Sequence, residues 1–167
     1  MNTQYNASLV HIIEVNLDRI ERYKKAKELV NKTNFLTYLF DQCIKQSESY
    51  VDRLNNLLEI QGVESNIRKS LFGHLYRGWI SACFYLSINK NKSVLLACIN
   101  AEENLLFHYE KVLKDESIDF YFPLLRKILE AQRNRIALTL SKLNGYLGKE
   151  IKISINETKL VPLNEVG

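Results

Sequence analysis

Proline occurs twice and glycine six times in 167 residues, and the first 61 residues contain neither. Sheet proteins need a tight turn every ten residues or so, and such turns are built on these two residues. A chain this short of them excludes a sandwich or barrel and predicts helices throughout. Long apolar runs are missing as well. A stretch such as Gly78 to Asn89 falls far short of the ~18 residues needed to span a bilayer, so no membrane association is expected. The opening Met-Asn-Thr-Gln-Tyr-Asn has no basic segment before an apolar one, so no signal peptide is expected. Charge of one sign is scarce too. Twenty-three basic and 19 acidic residues leave a net +4, and the two signs are mixed, as in residues 21–28. Nucleic-acid binding concentrates positive charge on one face, and none is expected here. The three cysteines, Cys43, Cys83 and Cys98, are odd in number and lie in apolar stretches. They read as buried reduced thiols of a cytoplasmic protein.

What is present is the 46% apolar share of an ordinary globular chain, arranged at helical spacing. The first helix is expected from about Gln4 to Val30, with Leu9, Ile13, Leu17, Ile20, Tyr23, Ala26 and Val30 as its seam. Asn31 to Asn34 form a polar break. The second helix, to about Gln61, has the seam Leu36, Phe40, Cys43, Ser47, Tyr50, Leu54, Leu57, with Asp41, Lys45, Glu48 and Asp52 facing water and Gly62 as the stop. A third, about Ser65 to Ile88, is apolar on two flanks. Asn89 to Lys92 then make a loop or a kink within a longer helix. From Ser93 to about Lys114 the seam is Leu95, Cys98, Glu102, Leu105, Tyr109, Val112. Pro123 suits the first turn of the last helix, which carries Leu125, Leu129, Gln132, Ile136, Leu140 and Leu143 and is expected to end near Gly145 and Gly148. Ile151 to Ile155 alternate apolar and polar with strand period, so 147–167 are expected as an extended tail after a bundle over 1–146. The tyrosines and phenylalanines fall mainly at seam spacing and read as core.

Glu102 is the residue that invites a chemical question. A carboxylate in a seam must be paired, protonated or metal-bound, because burying its charge alone costs several kcal/mol or more. One reading is a buried polar network of Glu102, Gln132, Arg77 and Tyr109. The other is a metal site of Glu102, His74, Glu14 and Asp18. His74 lies on a buried flank, His11 is one turn from Glu14, and His108 is expected at the rim. Carboxylate-bridged iron proteins built on four helices carry Glu-x-x-His motifs. This chain has none, only the reversed His11-x-x-Glu14. Phosphate loops, Cys-x-x-Cys pairs and nucleophile elbows are also missing from the sequence.

Three local patterns carry a resemblance. The first helix contains Asp18, Tyr23 and Ala26 in an Asp-x-x-x-x-Tyr-x-x-Ala segment, the third contains Arg77-Gly78-Trp79, and the next has Glu102 followed by Tyr109. From Leu9 to Leu143 the chain resembles a bacterial family of ferritin-like four-helix-bundle proteins of unknown function, in which a glutamine also tends to fall at the place of Gln132. Relatives often carry a second acid three residues before the first, and here that position is Ile99. The resemblance implies an all-α, ferritin-like, up-and-down four-helix bundle without implying iron oxidation, since fold is not function. The expected function is non-enzymatic, through self-association as a homo-oligomer or through a protein partner, with no cofactor required. The alternative is a carboxylate site for iron or another divalent metal centred on Glu102.

Overall fold

The structure, a computed structural model, describes residues 3–30, 34–60, 62, 90–115, 118 and 123–159. It contains four helices, α1 (Thr3–Leu29), α2 (Asn34–Ile60), α3 (Lys90–Leu113) and α4 (Pro123–Lys159), and no strand among the described residues. At 1.5 Å per residue, α1 and α2 are each about 40 Å long. None of these helices is long and apolar enough to cross a membrane. The expected helix over 65–88, with His74, Arg77 and Cys83, lies outside the described residues.

Most boundaries follow the physical signals in the sequence. Pro123 opens α4, where its missing N–H costs least. Gly62 follows α2 with φ +71°, a conformation open to glycine, and its N–H reaches Glu59 O at 2.9 Å. Lys90 to Lys92 belong to the first turn of α3 and are not a loop. The largest departure is α4. It runs straight through Gly145 and Gly148 to Lys159, so 147–159 are helical where an extended tail was expected. A helix closes its own backbone hydrogen bonds, whereas a single alternating strand has nothing to pair with, and glycine in a helix costs only about 1 kcal/mol relative to alanine.

Contacts between named residues set the helix directions. Lys27 meets Asp41 and Arg19 meets Ser47, so α1 and α2 are antiparallel. His11 meets His108 and Tyr23 meets Glu102, so α1 and α3 are antiparallel too. Hence α2 and α3 run the same way. Phe35 stacks on Tyr146 at 4.4 Å, while Tyr50 and Arg135 flank the same groove further along, which sets α4 against α2. The four-helix bundle expected from the sequence is therefore found among the described residues.

The core draws on all four helices, with Leu9, Ile13, Phe40, Leu54, Leu95, Tyr109, Leu129, Ile136 and Leu143 almost fully buried. Ile118, 2% exposed, closes one end between α3 and α4. Not every aromatic is core, however. Phe35, Tyr38 and Phe107 are 47%, 63% and 61% exposed.

Candidate functional site

On α1 the buried positions include Leu9, Ile12, Asn16, Arg19, Tyr23, Ala26 and Val30, at alternating spacings of three and four. Two polar residues thus stand inside a seam, and both turn toward α3. Arg19 grips Glu102 with two parallel bonds, Nε to Oε1 at 2.7 Å and Nη2 to Oε2 at 2.9 Å. This fork-to-carboxylate geometry is the strongest that an arginine offers. The Tyr23 hydroxyl donates to the same Oε1 at 2.7 Å. The remaining donor, Nη1, turns to α2 and meets Gln46 Oε1 at 2.8 Å and Ser47 Oγ at 3.0 Å. A second, separate string lies one turn back along α1. Asn16 Nδ2 donates to Tyr109 Oη at 2.8 Å and to Ile12 O, and the Tyr109 hydroxyl donates to Gln132 Oε1 at 2.8 Å. Polar side chains from all four helices thus meet inside the bundle.

The electrostatics agree with the geometry. Burial alone would pull the Arg19 guanidinium down, but the Glu102 carboxylate more than offsets it and holds the proton harder than usual. Burial, then the Glu102 charge, pushes the Tyr23 hydroxyl well up, so it stays a donor. Tyr109 is raised by burial as well, and burial lifts the Cys43 thiol to about 11.

This answers the question that Glu102 poses. It is buried and hydrogen-bonded, and the residues that hold it are Arg19 and Tyr23. Arg77 lies outside the described residues. Gln132 and Tyr109 bond to one another, and Tyr109 also to Asn16, but neither bonds to Glu102. Neither Arg19 nor Asn16 was singled out from the sequence. The available signal was the a/d register of α1, which an all-apolar choice of seam had passed over.

Of the expected metal set, Glu102 is the centre of this network, and Glu14 and Asp18 pair elsewhere. Glu14 sits half-buried beside His11, with its carboxylate 3.9 Å from His11 Nδ1. Asp18 pairs with Arg22 at 3.6 Å, and burial raises its carboxyl. His74 lies outside the described residues. A carboxylate-bridged metal would need Glu102 oxygens that Arg19 and Tyr23 already occupy, and no three His, Cys, Asp or Glu side chains among the described residues converge to hold an ion. The donor set around Glu102 does not fit such a group.

Beyond the network, α2 and α4 leave a groove of about 890 Å³ between them. Phe35, Tyr38, Leu39, Leu138 and Tyr146 supply its apolar surface, and Lys45, Arg135 and Lys142 its charge. None of these three cations pairs with a carboxylate among the described residues. Tyr50, 8% exposed, also lines the groove, and its hydroxyl has no hydrogen-bond partner among the described residues.

Residues 4–115, two thirds of the chain, match the family model described as Domain of unknown function (DUF2383). The chain belongs to that family. The match spans α1 to α3, so Arg19, Tyr23, Glu102 and Tyr109 all fall within the DUF2383 region, while α4, with Gln132 and one wall of the groove, lies beyond it. The shared region therefore ends well before Leu143. No curated protein and no solved structure matches the chain.

Proposed function

We propose that this DUF2383 chain is a non-enzymatic, ferritin-like bundle that acts by docking a protein partner in the groove between α2 and α4. The observation that carries the reading is the groove itself, where exposed aromatic and aliphatic side chains are bordered by three cations with no carboxylate partner among the described residues. An exposed apolar strip with a polar border is the usual mark of an interaction surface. The ferritin-like assignment is supported by the packing of four long helices around one shared core. A reducing, cytoplasmic setting is supported by the buried thiols of Cys43 and Cys98.

The charges narrow the occupant. Arg135 and Lys142 are seven residues apart on one helix, about 10 Å along its axis. A single anionic headgroup does not span that distance, whereas a helix with acids two turns apart meets both. A second copy joined through the same face would bring like charges together. The partner is therefore read as an amphipathic helix with apolar anchors and acidic flanks.

The test uses the full chain and two 20-residue helical peptides that share one leucine seam, one flanked by glutamates and the other by lysines. Fluorescence anisotropy should show saturable binding of the acidic peptide that weakens with salt and falls at least tenfold in Arg135→Glu/Lys142→Glu. Equal binding of both peptides, or indifference to the charge reversal, overturns the reading. Sedimentation of the chain alone covers the other occupant. A dimer lost in Leu138→Glu would assign the groove to a second copy and overturn the reading as well.

A further inference from the structure

We infer that His11 and His108 form a binding site for a borderline transition-metal ion, Zn(II) or Cu(II), that ties α1 to α3 at the rim of the bundle. The two residues are 97 positions apart in sequence, yet His11 Nε2 and His108 Nδ1 face one another at 2.8 Å. Their rings meet edge to face, with centroids 4.5 Å apart and planes 74° apart. At that distance one proton lies between the two nitrogens, and a metal ion that takes its place receives a lone pair from each ring.

Little movement is needed. Zn–N bonds are about 2.0–2.1 Å, so two imidazole nitrogens on a tetrahedral ion stand about 3.3 Å apart. The pair must open by about 0.5 Å, a small rotation for a side chain such as His11, 45% exposed. Behind His11, the Glu14 carboxylate lies 3.9 Å from the outward-facing Nδ1. That is beyond hydrogen-bond distance, and closing it by about 1 Å would let the carboxylate accept the Nδ1–H of a metal-bound His11 and raise its basicity. On the far side, Phe107 packs against the His108 ring at 5.8 Å and 71°. Imidazole donors select zinc and copper over magnesium and calcium.

The charges near the site are mixed. Lys111 and Arg22 act on His108, and Arg22 is itself held by Asp18 at 3.6 Å. Two protein ligands leave the other coordination positions to water. The site is separate from the Glu102 network and from the groove, and stands or falls independently of the proposed partner docking.

Isothermal titration of the full chain, purified without a histidine tag, tests it with Zn(II), Cu(II) and Mg(II) separately. One Zn(II) per chain is expected, with no response to Mg(II). Affinity should fall at least a hundredfold in His11→Ala and in His108→Ala. It should fall at least tenfold in Glu14→Gln and stay unchanged in Glu110→Gln, an exposed acid on the same α3 helix. Cu(II) electron paramagnetic resonance should show two coupled nitrogens in the wild type and one in each histidine variant. Zinc binding that survives either histidine substitution, or no saturable binding at all, overturns the inference. Both histidines are partly exposed, and circular dichroism of the variants confirms that a loss of binding is not a loss of fold.

Discussion

Removing Arg19 should unfold this protein more readily than removing any single apolar residue of similar size, and removing its partner as well should undo most of the damage. Arg19→Met keeps an unbranched apolar stem in place of the aliphatic part of arginine but leaves the Glu102 carboxylate, 0% exposed, with the Tyr23 hydroxyl as its one remaining partner among the described residues. Breaking a buried pair from one side costs about 3–5 kcal/mol. Glu102→Leu strands the guanidinium with only Gln46 and Ser47, two neutral acceptors, and should cost a similar amount. If the two effects were independent, the double variant would lose about 6–10 kcal/mol, as much as a whole domain's stability. Replacing both charges with apolar groups is instead close to neutral in itself. What remains is the orphaned Tyr23 hydroxyl, about 1–3 kcal/mol, and the Gln46 and Ser47 oxygens that lose their Arg19 donor. Adding Tyr23→Phe should recover the hydroxyl's part.

The assay is urea unfolding of the wild type, both single variants, the double and the triple, with the slope checked for constancy so that midpoints report stability. A coupling energy of at least about 3 kcal/mol is expected between positions 19 and 102. Single substitutions costing under about 1 kcal/mol and adding in the double would refute the argument, because both charges would then be solvated. Near-stoichiometric iron, manganese or zinc in the wild type that disappears in Glu102→Ala would refute it from the other direction, because the carboxylate would then be a ligand.

Glycine offers a cleaner contrast. Gly145 and Gly148 sit inside α4 with nothing within 4 Å of an added Cβ, so Gly→Ala at either should stabilise by about 0.5–1 kcal/mol, read as a higher thermal midpoint. Gly62, at φ +71°, should respond in the opposite direction, with Gly62→Ala costing about 1 kcal/mol despite equally open surroundings. Burial, with His11 beside it, lowers His108 below its ordinary 6.5, so near that pH the unfolded chain binds more protons than the folded one. In the presence of a chelator, stability should therefore rise as pH increases from about 5.5 to 7.5, and His108→Gln should flatten the rise in a urea series. Cys43, lifted to about 11 by burial, should react with a thiol reagent in a Cys83→Ser background only when urea opens the bundle.

The bundle was legible because apolar spacing is a direct imprint of helix geometry, and it needed no glycine or proline to be read. The α1–α2 break at residues 31–33 contains neither. α4 misled for the converse reason. Gly145 and Gly148 look like stops when punctuation is weighed by residue type, yet a helical glycine at an exposed position costs too little to end a helix. The apolar-polar alternation after Ile151 has no strand to pair with among the described residues.

The centre of the bundle was half legible, and the missing half follows from one assumption. Choosing the α1 seam by hydrophobicity selected Leu17, which is only half-buried, and skipped Asn16 and Arg19, which are buried. An acid found in the seam of α3 asks for a base in the seam of a neighbour, because the interior does not tolerate the charge alone. Testing each register of α1 for that base would have found Arg19 one turn before Tyr23, on the stripe that also holds Leu9, Ile12, Ala26 and Val30. Polar residues in a seam are thus better read as pairs across helices than as exceptions within one. The His11–His108 pair obeys a different logic. Its members are joined only by the antiparallel register of α1 and α3, which residues 11 and 108 do not set. Once Arg19 is matched to Glu102, however, stepping two turns back along α1 and nearly two turns forward along α3 brings those two histidines together at the rim.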